Sequence, residues 1–333
     1  MGLHDAPSNL MKQRQFAATL SLAVGVLMLV GKWVAYLLTG SHAILSDALE
    51  SIVHIVATAF ALLSIYLGAR PPDPKYPYGY GKIAYFSAGF EGGLIALAAL
   101  AIFYEAIQGL ILGEELSRLD QGFAIIAVAS FINLALGLYL IRQGKKLGSL
   151  VLRADGDHVL ADAYTSFGVV LGVALVWITK LTWLDGVVAL LVGLNILVTG
   201  FKLVQEGVGG LMDRSDRALL TTIVEALQAG RESGWIDVHQ LRAWRAGDRC
   251  FVDFHLVVPD DWNVGKIHDM NHRCRDLLRN VLGDSTELII HFDPDHPGHF
   301  NPDATWTTET ATRVPRTEHD DAPFDQLAIE NER

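Results

Sequence analysis

Two pairs of residues in the sequence share one spacing. Glu50 stands four residues before His54, and His158 stands four residues before Asp162. On a helix, residues i and i+4 lie one above the other on a single face. Each pair therefore presents an imidazole and a carboxylate side by side. Two such faces turned toward each other supply two nitrogen and two oxygen donors, a set that suits a tetrahedral divalent cation such as Zn²⁺. The two carboxylates also offset the ion's charge, which a low-dielectric site requires. Both pairs lie within apolar stretches, where an ionisable side chain is costly and is a functional candidate by default. Asp47, on the same stretch as Glu50, reads as a helix-packing group or as one that orients a ligand from outside the coordination shell. Lys32 reads as a snorkelling or paired lysine.

The elements that must position these residues are apolar runs near 16–39, 43–67, 84–112, 121–141, 158–180 and 183–204. Each reaches the roughly 20 residues that a helix needs to cross the hydrocarbon of a bilayer. Backbone amides in lipid must be bonded internally, so helices are expected. Basic residues set the orientation. Lys12 and Arg14 precede the first run, Arg70, Lys75 and Lys82 follow the second, and Arg142, Lys145, Lys146 and Arg153 follow the fourth. The alternate loops are poor in positive charge. Six crossings with both termini in the cytoplasm follow, and a bacterial inner membrane is the expected location. The polar first fifteen residues carry no cleavable leader signal.

Composition agrees. The 333-residue chain is 51% hydrophobic and 19% charged, with a mean hydropathy of +0.30, against about 25% charged for a typical soluble domain. A net charge of −11 argues against nucleic acid as a partner. Two cysteines, Cys250 and Cys274, with no CxxC, exclude a zinc ribbon or a thioredoxin-like site.

From about residue 206 the composition becomes that of a soluble domain. Leu219–Ala229 and Lys266–Leu282 have helical spacing, and His239–Trp244, Cys250–Val258 and Glu287–Phe292 read as strands. A hairpin turn is expected at Ala246-Gly247-Asp248. The order αββαβ predicts a small two-layer α+β domain over 206–297, so the fold class is a six-helix transmembrane bundle followed by a ferredoxin-like or metallochaperone-like domain. The acidic segment 298–333 reads as a disordered tail, with His296, His299 and His319 as solvated histidines.

At this point the sequence resembles the cation diffusion facilitator family. The residues that carry the likeness are Ser41–His54, the loop Pro71–Lys82, His158–Gly168, Val238–Arg242, Phe251–His255, His268 and Ile290–Pro294. The resemblance implies a homodimeric exporter of divalent metals driven by proton antiport, with Glu50, His54, His158 and Asp162 at the transport positions. It also implies a cytoplasmic metal site from His239, His255, His268, His291 and Asp293, and a charge network between protomers involving Lys82 and Asp213. Two departures stand out. Glu50 replaces the usual aspartate, so metal geometry does not carry over. Tyr76 and Tyr80 replace two histidines that, with Asp73, would build a loop metal site, so that site is expected to be lost or very weak.

Histidine titrates in the physiological range, and metal competes with protons for the same ligands, so proton-coupled export is the expected activity. Zn²⁺ is favoured, with Fe²⁺, Co²⁺ and Cd²⁺ open; two histidines count against Mn²⁺. The chain is not expected to be an enzyme, since it has no HExxH. The remaining alternatives are a membrane metal sensor or scaffold that does not transport and an exporter selective for iron or manganese.

Overall fold

The structure is a computed structural model that describes residues 6–39, 42–112, 123–179, 181, 183–295 and 305–312; within these ranges some side chains, those of 42–50 among them, are not described. The chain divides into two compact units, Met1–Met212 and Asp213–Arg333.

Among the described residues, the first unit holds six helices: α1 (Ala6–Thr39), α2 (His42–Gly68), α3 (Ile83–Leu112), α4 (Phe123–Lys146), α5 (Leu150–Thr179) and α6 (Trp183–Leu211). They cover the expected apolar runs. Among the described residues, three segments, Asn9–Val34, Ile83–Ile111 and Gly186–Leu211, are long and apolar enough to cross a membrane by length and composition. The other three helices carry ionisable residues. α2 carries Asp47, Glu50 and His54, α5 carries Arg153, Asp155, Asp157, His158 and Asp162, and α4 ends on Arg142, Lys145 and Lys146.

α5 starts eight residues before the expected run, at Leu150. The α4–α5 turn explains this. Gly148 adopts φ +60, a left-handed conformation that glycine reaches without cost. The Ser149 amide donates to the Gly144 carbonyl at 2.8 Å, and the Leu152 amide donates to the Ser149 hydroxyl at 3.3 Å. The turn is pinned from α1, where Arg14 Nε donates to the Leu147 carbonyl at 3.1 Å. As a result His158 and Asp162 sit in the third and fourth turns of α5.

The bundle is built on small residues inside and large ones outside. Ala57, Ala61, Ala88, Ala99, Ala154 and Ala163 are buried, as are Ser21, Thr58, Ser64 and Ser87, while Leu27, Leu37, Leu97, Ile111, Ile178 and Phe201 are exposed. That inversion is what lipid as a solvent demands, because helices there gain by close approach. It is strongest between α3 and α6. A Cβ on Gly92 would lie 2.8 Å from the Gly200 carbonyl oxygen, and one on Gly207 would lie 2.8 Å from the Gly89 Cα.

The second unit contains α7 (Arg217–Ala229), β1 (Asp237–Ala246), β2 (Arg249–Val258), α8 (Val264–Leu282), β3 (Thr286–Pro294) and the short α9 (Thr308–Thr312). The first five follow the expected αββαβ order. Asp216 caps α7 by accepting from the Ala218 and Leu219 amides, and Asn263 caps α8 by accepting from the Lys266 amide, each satisfying amides that a helix start leaves free. The sheet order is β1-β2-β3, with β1 and β2 antiparallel and β2 and β3 parallel. Gly247 (φ +62) takes the first central position of the two-residue hairpin turn, where a II′ turn places glycine. Val238, Leu241, Ala243, Val252, Phe254, Leu256 and Leu288 face a core closed by α7 and α8.

Two boundaries differ from the sequence expectation. α6 continues to Leu211, so the units divide at residues 212 and 213 instead of 205 and 206. Residues 305–312 depart from the expected disordered tail. Trp306 is only 4% exposed and belongs to the core, as does Ala311. Its ring stacks on Trp235 with centroids 6.4 Å apart and lies 4.2 Å from the Arg231 guanidinium carbon. The segment is polar on average, and one tryptophan outweighs that average by burying a large apolar ring. His296, His299 and His319 lie outside the described residues.

Candidate metal centres

The first centre forms inside the helical unit. α2 supplies His54, and α5 supplies His158 and Asp162; one ligand atom from each lies within 4.8 Å of the other two. His54 Nδ1 is 3.7 Å from Asp162 Oδ2, and the two imidazoles stack with centroids 4.9 Å apart. His54 and His158 are 8% and 9% exposed. His54 Nε2 and His158 Nδ1 are buried without a hydrogen-bond partner. Buried polar atoms are rarely left unpaired, and two imidazoles and a carboxylate gathered within 4.8 Å are a donor set that a cation would satisfy. Glu50 lies one turn before His54 on α2, and Asp47 three residues before Glu50; their side chains are outside the described part of the structure.

Around this centre lie groups with other partners. Lys32 donates to the Ser51 hydroxyl at 2.8 Å, which makes it a paired lysine between α1 and α2. Asp155, one turn before His158 and 1% exposed, accepts from the Thr58 hydroxyl at 3.0 Å. Neither Asp155 nor Glu91 on α3 figured among the sequence candidates. Both were findable, since each is a carboxylate inside an apolar helix.

The second centre lies on the sheet of the C-terminal unit. His239 on β1 pairs across from His255 on β2, which sits opposite His291 on β3. The three imidazoles thus form one row. Asp293, two residues after His291, lies on the same face, because side chains alternate along a strand. Its carboxylate reaches all three rings, with His255 Nδ1 at 2.9 Å, His291 Nε2 at 3.1 Å and His239 Nε2 at 3.3 Å. A β-bulge sets the row. Gln240 and Leu241 together oppose Phe254, with Gln240 at φ +49, and such a bulge re-aims neighbouring side chains. It turns Leu241 into the core while leaving His239 beside His255.

Electrostatics follow from these contacts. Burial works against the charge on Asp293, but hydrogen bonds from His239 and His255 outweigh it and hold its carboxyl below the ordinary value. Burial also works against charging His239, and its bonds to Asp237 and Asp293 outweigh that, raising it. His268 is not brought to this row. It stands on the exposed side of α8, its Nε2 3.1 Å from Nε2 of His272, a residue the sequence reading did not single out.

The loop between α2 and α3 has its own geometry. Tyr80 donates its hydroxyl to Asp73 Oδ2 at 2.5 Å, and the Lys75 and Tyr76 amides donate to Asp73 Oδ1 at 2.8 Å each. The Asp73 carboxylate therefore clamps the loop. Lys82 donates to the Leu211 carbonyl at 3.4 Å, where a cation meets the negative end of α6. Asp213 adopts φ +55 just beyond it.

Comparison with known proteins identifies the family. Residues 18–212 match the cation efflux transmembrane domain, and residues 216–295 match the cytoplasmic domain of cation efflux proteins. The chain belongs to the cation efflux family. It is 36% identical over 295 residues to an uncharacterized transporter of Synechocystis sp., covering 86% of this chain and 94% of that one. It is 29% identical over 285 residues to the cation-efflux pump FieF of Klebsiella pneumoniae, covering 84% and 92%. It is 30% identical over 309 residues to metal tolerance protein 2 of Oryza sativa subsp. japonica, covering 85% and 79%. The protein is thus an integral membrane transporter of divalent metal cations, with a helical membrane domain followed by a C-terminal domain of helices and a small sheet.

Proposed function

We propose that this cation efflux protein exports Zn²⁺ from the cytoplasm in exchange for protons, through six membrane-crossing helices, as a homodimer in a bacterial inner membrane with both termini cytoplasmic. The observation that carries the reading is the convergence of His54, His158 and Asp162 within the bundle, with two imidazole nitrogens buried and unpartnered. Glu50, one turn from His54, supplies the fourth ligand. Imidazole and carboxylate donors together suit Zn²⁺, while Fe²⁺, Co²⁺ and Cd²⁺ compete by geometry and availability.

Ligands must shed protons to take the ion, so an acidic outer side displaces it and a neutral inner side recharges the site. Rocking of helices around a fixed site completes the cycle. In the same reading His239, His255, His291 and Asp293 hold a regulatory metal ion. Their donor set fits one, because two imidazoles and a carboxylate already lie within 4.8 Å of one another. Lys82 and Asp213 belong to the contacts between protomers.

The test is uptake of zinc and of iron into inverted, pH-gradient-loaded proteoliposomes. Wild type should move one of these metals in a gradient-dependent way, and Asp162→Ala and His54→Ala should abolish the flux while still folding. Wild-type flux in Asp162→Ala would sink the site assignment. Asp293→Ala should leave the site able to carry metal but remove zinc binding by the C-terminal domain, read by calorimetry; unchanged binding would refute the regulatory role.

A further inference from the structure

A carboxyl group that nothing satisfies lies close to the transport ligands without being one of them. Glu91 on α3 is fully buried, at 0% exposure, and neither of its oxygens has a hydrogen-bond partner. Ser87, one turn earlier on the same face, is also fully buried with an unpartnered hydroxyl. Protein, not lipid, encloses them. Ala88 and Ile95 flank Glu91 on the face of α3 that meets Ala154 and Ala161 of α5 and Ile196 and Leu203 of α6.

Position along the bundle follows from direction. α3 and α5 both run antiparallel to α6, since Gly92 meets Gly200, Gly207 meets Gly89, and Arg153 pairs with Glu206 at 3.5 Å while Gly168 meets Val192. They therefore begin at the same end of the bundle. At about 1.5 Å per residue, Glu91 and His158 each lie roughly 12 Å from the start of their helix. Between Ala154 and Ala161, α5 presents Asp157 and His158 toward that level. Asp155 and Asp157 are the charged groups within electrostatic reach of Glu91. The other titratable groups nearest its level on elements packed against α3 are His54 of α2, His158 of α5, and Lys202 and Glu206 of α6.

An ionised carboxylate without a donor or counter-ion carries a large desolvation cost. The neutral acid is the form that this enclosure accommodates. A metal ion is the poorer occupant, since Glu91 belongs to neither group of three metal-donor residues among the described residues. We propose that Glu91 is a proton-carrying site of the transport cycle, separate from the metal ligands. Its carboxyl O–H bond breaks when the bundle opens at the end where α3 and α5 begin. The proton passes to water there, leaving a carboxylate, and that carboxylate takes a proton from the opposite side once this end has closed and the bundle opens there instead. Asp155 and Thr58, hydrogen-bonded to each other at 3.0 Å, continue the run of buried polar groups toward His158.

This inference rests on the proton-coupled reading above, and one experiment separates the two. Metal and proton fluxes are recorded together in proteoliposomes holding the full-length protein, as wild type, Glu91→Gln and Glu91→Asp. Glutamine keeps the size of the neutral acid and cannot release a proton. Glu91→Gln should lower the protons moved per zinc ion by about one, since one carboxyl carries one proton. It should leave zinc affinity in calorimetry within about twofold, and Glu91→Asp should restore the ratio. Infrared spectra of the wild type should contain a protonated-carboxyl band that Glu91→Gln lacks. A wild-type proton-to-metal ratio in Glu91→Gln, or the absence of that band difference, overturns the proposal and leaves the antiport reading standing. Wild-type metal flux with no proton movement overturns both.

Discussion

Replacing Gly92 by alanine tests whether α3 and α6 act as one rigid element. The new methyl carbon would lie 2.7 Å from Leu203 Cβ and 2.8 Å from both the Gly200 carbonyl oxygen and the Val204 nitrogen. Comfortable carbon contacts begin at about 3.5 Å. Two of the three obstacles are α6 backbone, so no rotamer change relieves them, and the helices must separate by roughly 0.7 Å, a gap that forfeits a quarter to a half of each contact along the seam. Overpacking of this kind costs about 1–3 kcal/mol. Alanine also gains helix propensity over glycine, by about 1 kcal/mol in water, so a control is needed. Gly93, the next residue, has open space where a Cβ would go. Gly93→Ala has the same propensity gain without the clash. Denaturant unfolding of the micelle-solubilised protein should therefore place Gly92→Ala about 1–3 kcal/mol below Gly93→Ala. Gly200→Ala acts on the same seam, so the double variant Gly92→Ala/Gly200→Ala should fall short of additivity. Equal stabilities for the Gly92 and Gly93 variants, within about 0.5 kcal/mol, would refute the close seam.

Other expectations concern the loop and the C-terminal unit. Trp306→Ala should destabilise that unit by about 3–5 kcal/mol, with its contact to the Arg231 guanidinium among the losses; a shift under about 1 kcal/mol in denaturant unfolding would return residues 305–312 to the status of a tail. The Asp73 clamp should depend on pH in a defined sense. The Tyr80 hydroxyl, then the Tyr76 amide, hold the Asp73 carboxyl below its ordinary value of 3.8, so the clamp is complete above that value and is lost as pH falls through the lowered one. The Asp73 carboxylate raises the Tyr80 hydroxyl above its ordinary 10.0, so the clamp outlasts that pH on the alkaline side. Hydrogen exchange at the Lys75 and Tyr76 amides should be slow and governed by one opening step from pH 5 to 9, and Tyr80→Phe should speed it; equal protection in the variant would rule out the hydroxyl's part.

Much of this fold is legible because its signals are periodic. The apolar runs became α1–α6, and the alternation at 250–258 became β2, because burial on one side of an element writes itself into spacing. The i, i+4 pair on α5 and the His54 end of the other pair met for the same reason. What stayed hidden depends on contacts between elements far apart in sequence. The row of His239, His255 and His291 requires a bulge at Gln240, and nothing in Val238–Arg242 marks which residue will be extra. Residues 305–312 look polar on average, and only the partner surface of Trp235 and Arg231 gives Trp306 a place. Glu91 differs, since a carboxyl residue inside an apolar run was visible, yet with no histidine or second carboxylate at i±3 or i±4 it formed no metal-ligand pattern.

The two centres are built from the same residue types and differ in what their donors already do. On the sheet, Asp293 is bonded to three imidazoles, so a metal ion arriving there replaces contacts that the protein makes with itself. Its net gain is the difference between two satisfied states, as for any exchange of hydrogen-bond partners. In the bundle, His54 Nε2 and His158 Nδ1 have no hydrogen-bond partner to give up. A cation there satisfies two imidazole nitrogens otherwise left buried and unpaired, so it gains more from each histidine. That ordering suits the work proposed for each centre. A transport site must take its ion from a dilute pool and release it only when protons compete, whereas a regulatory site must stay empty until the pool rises.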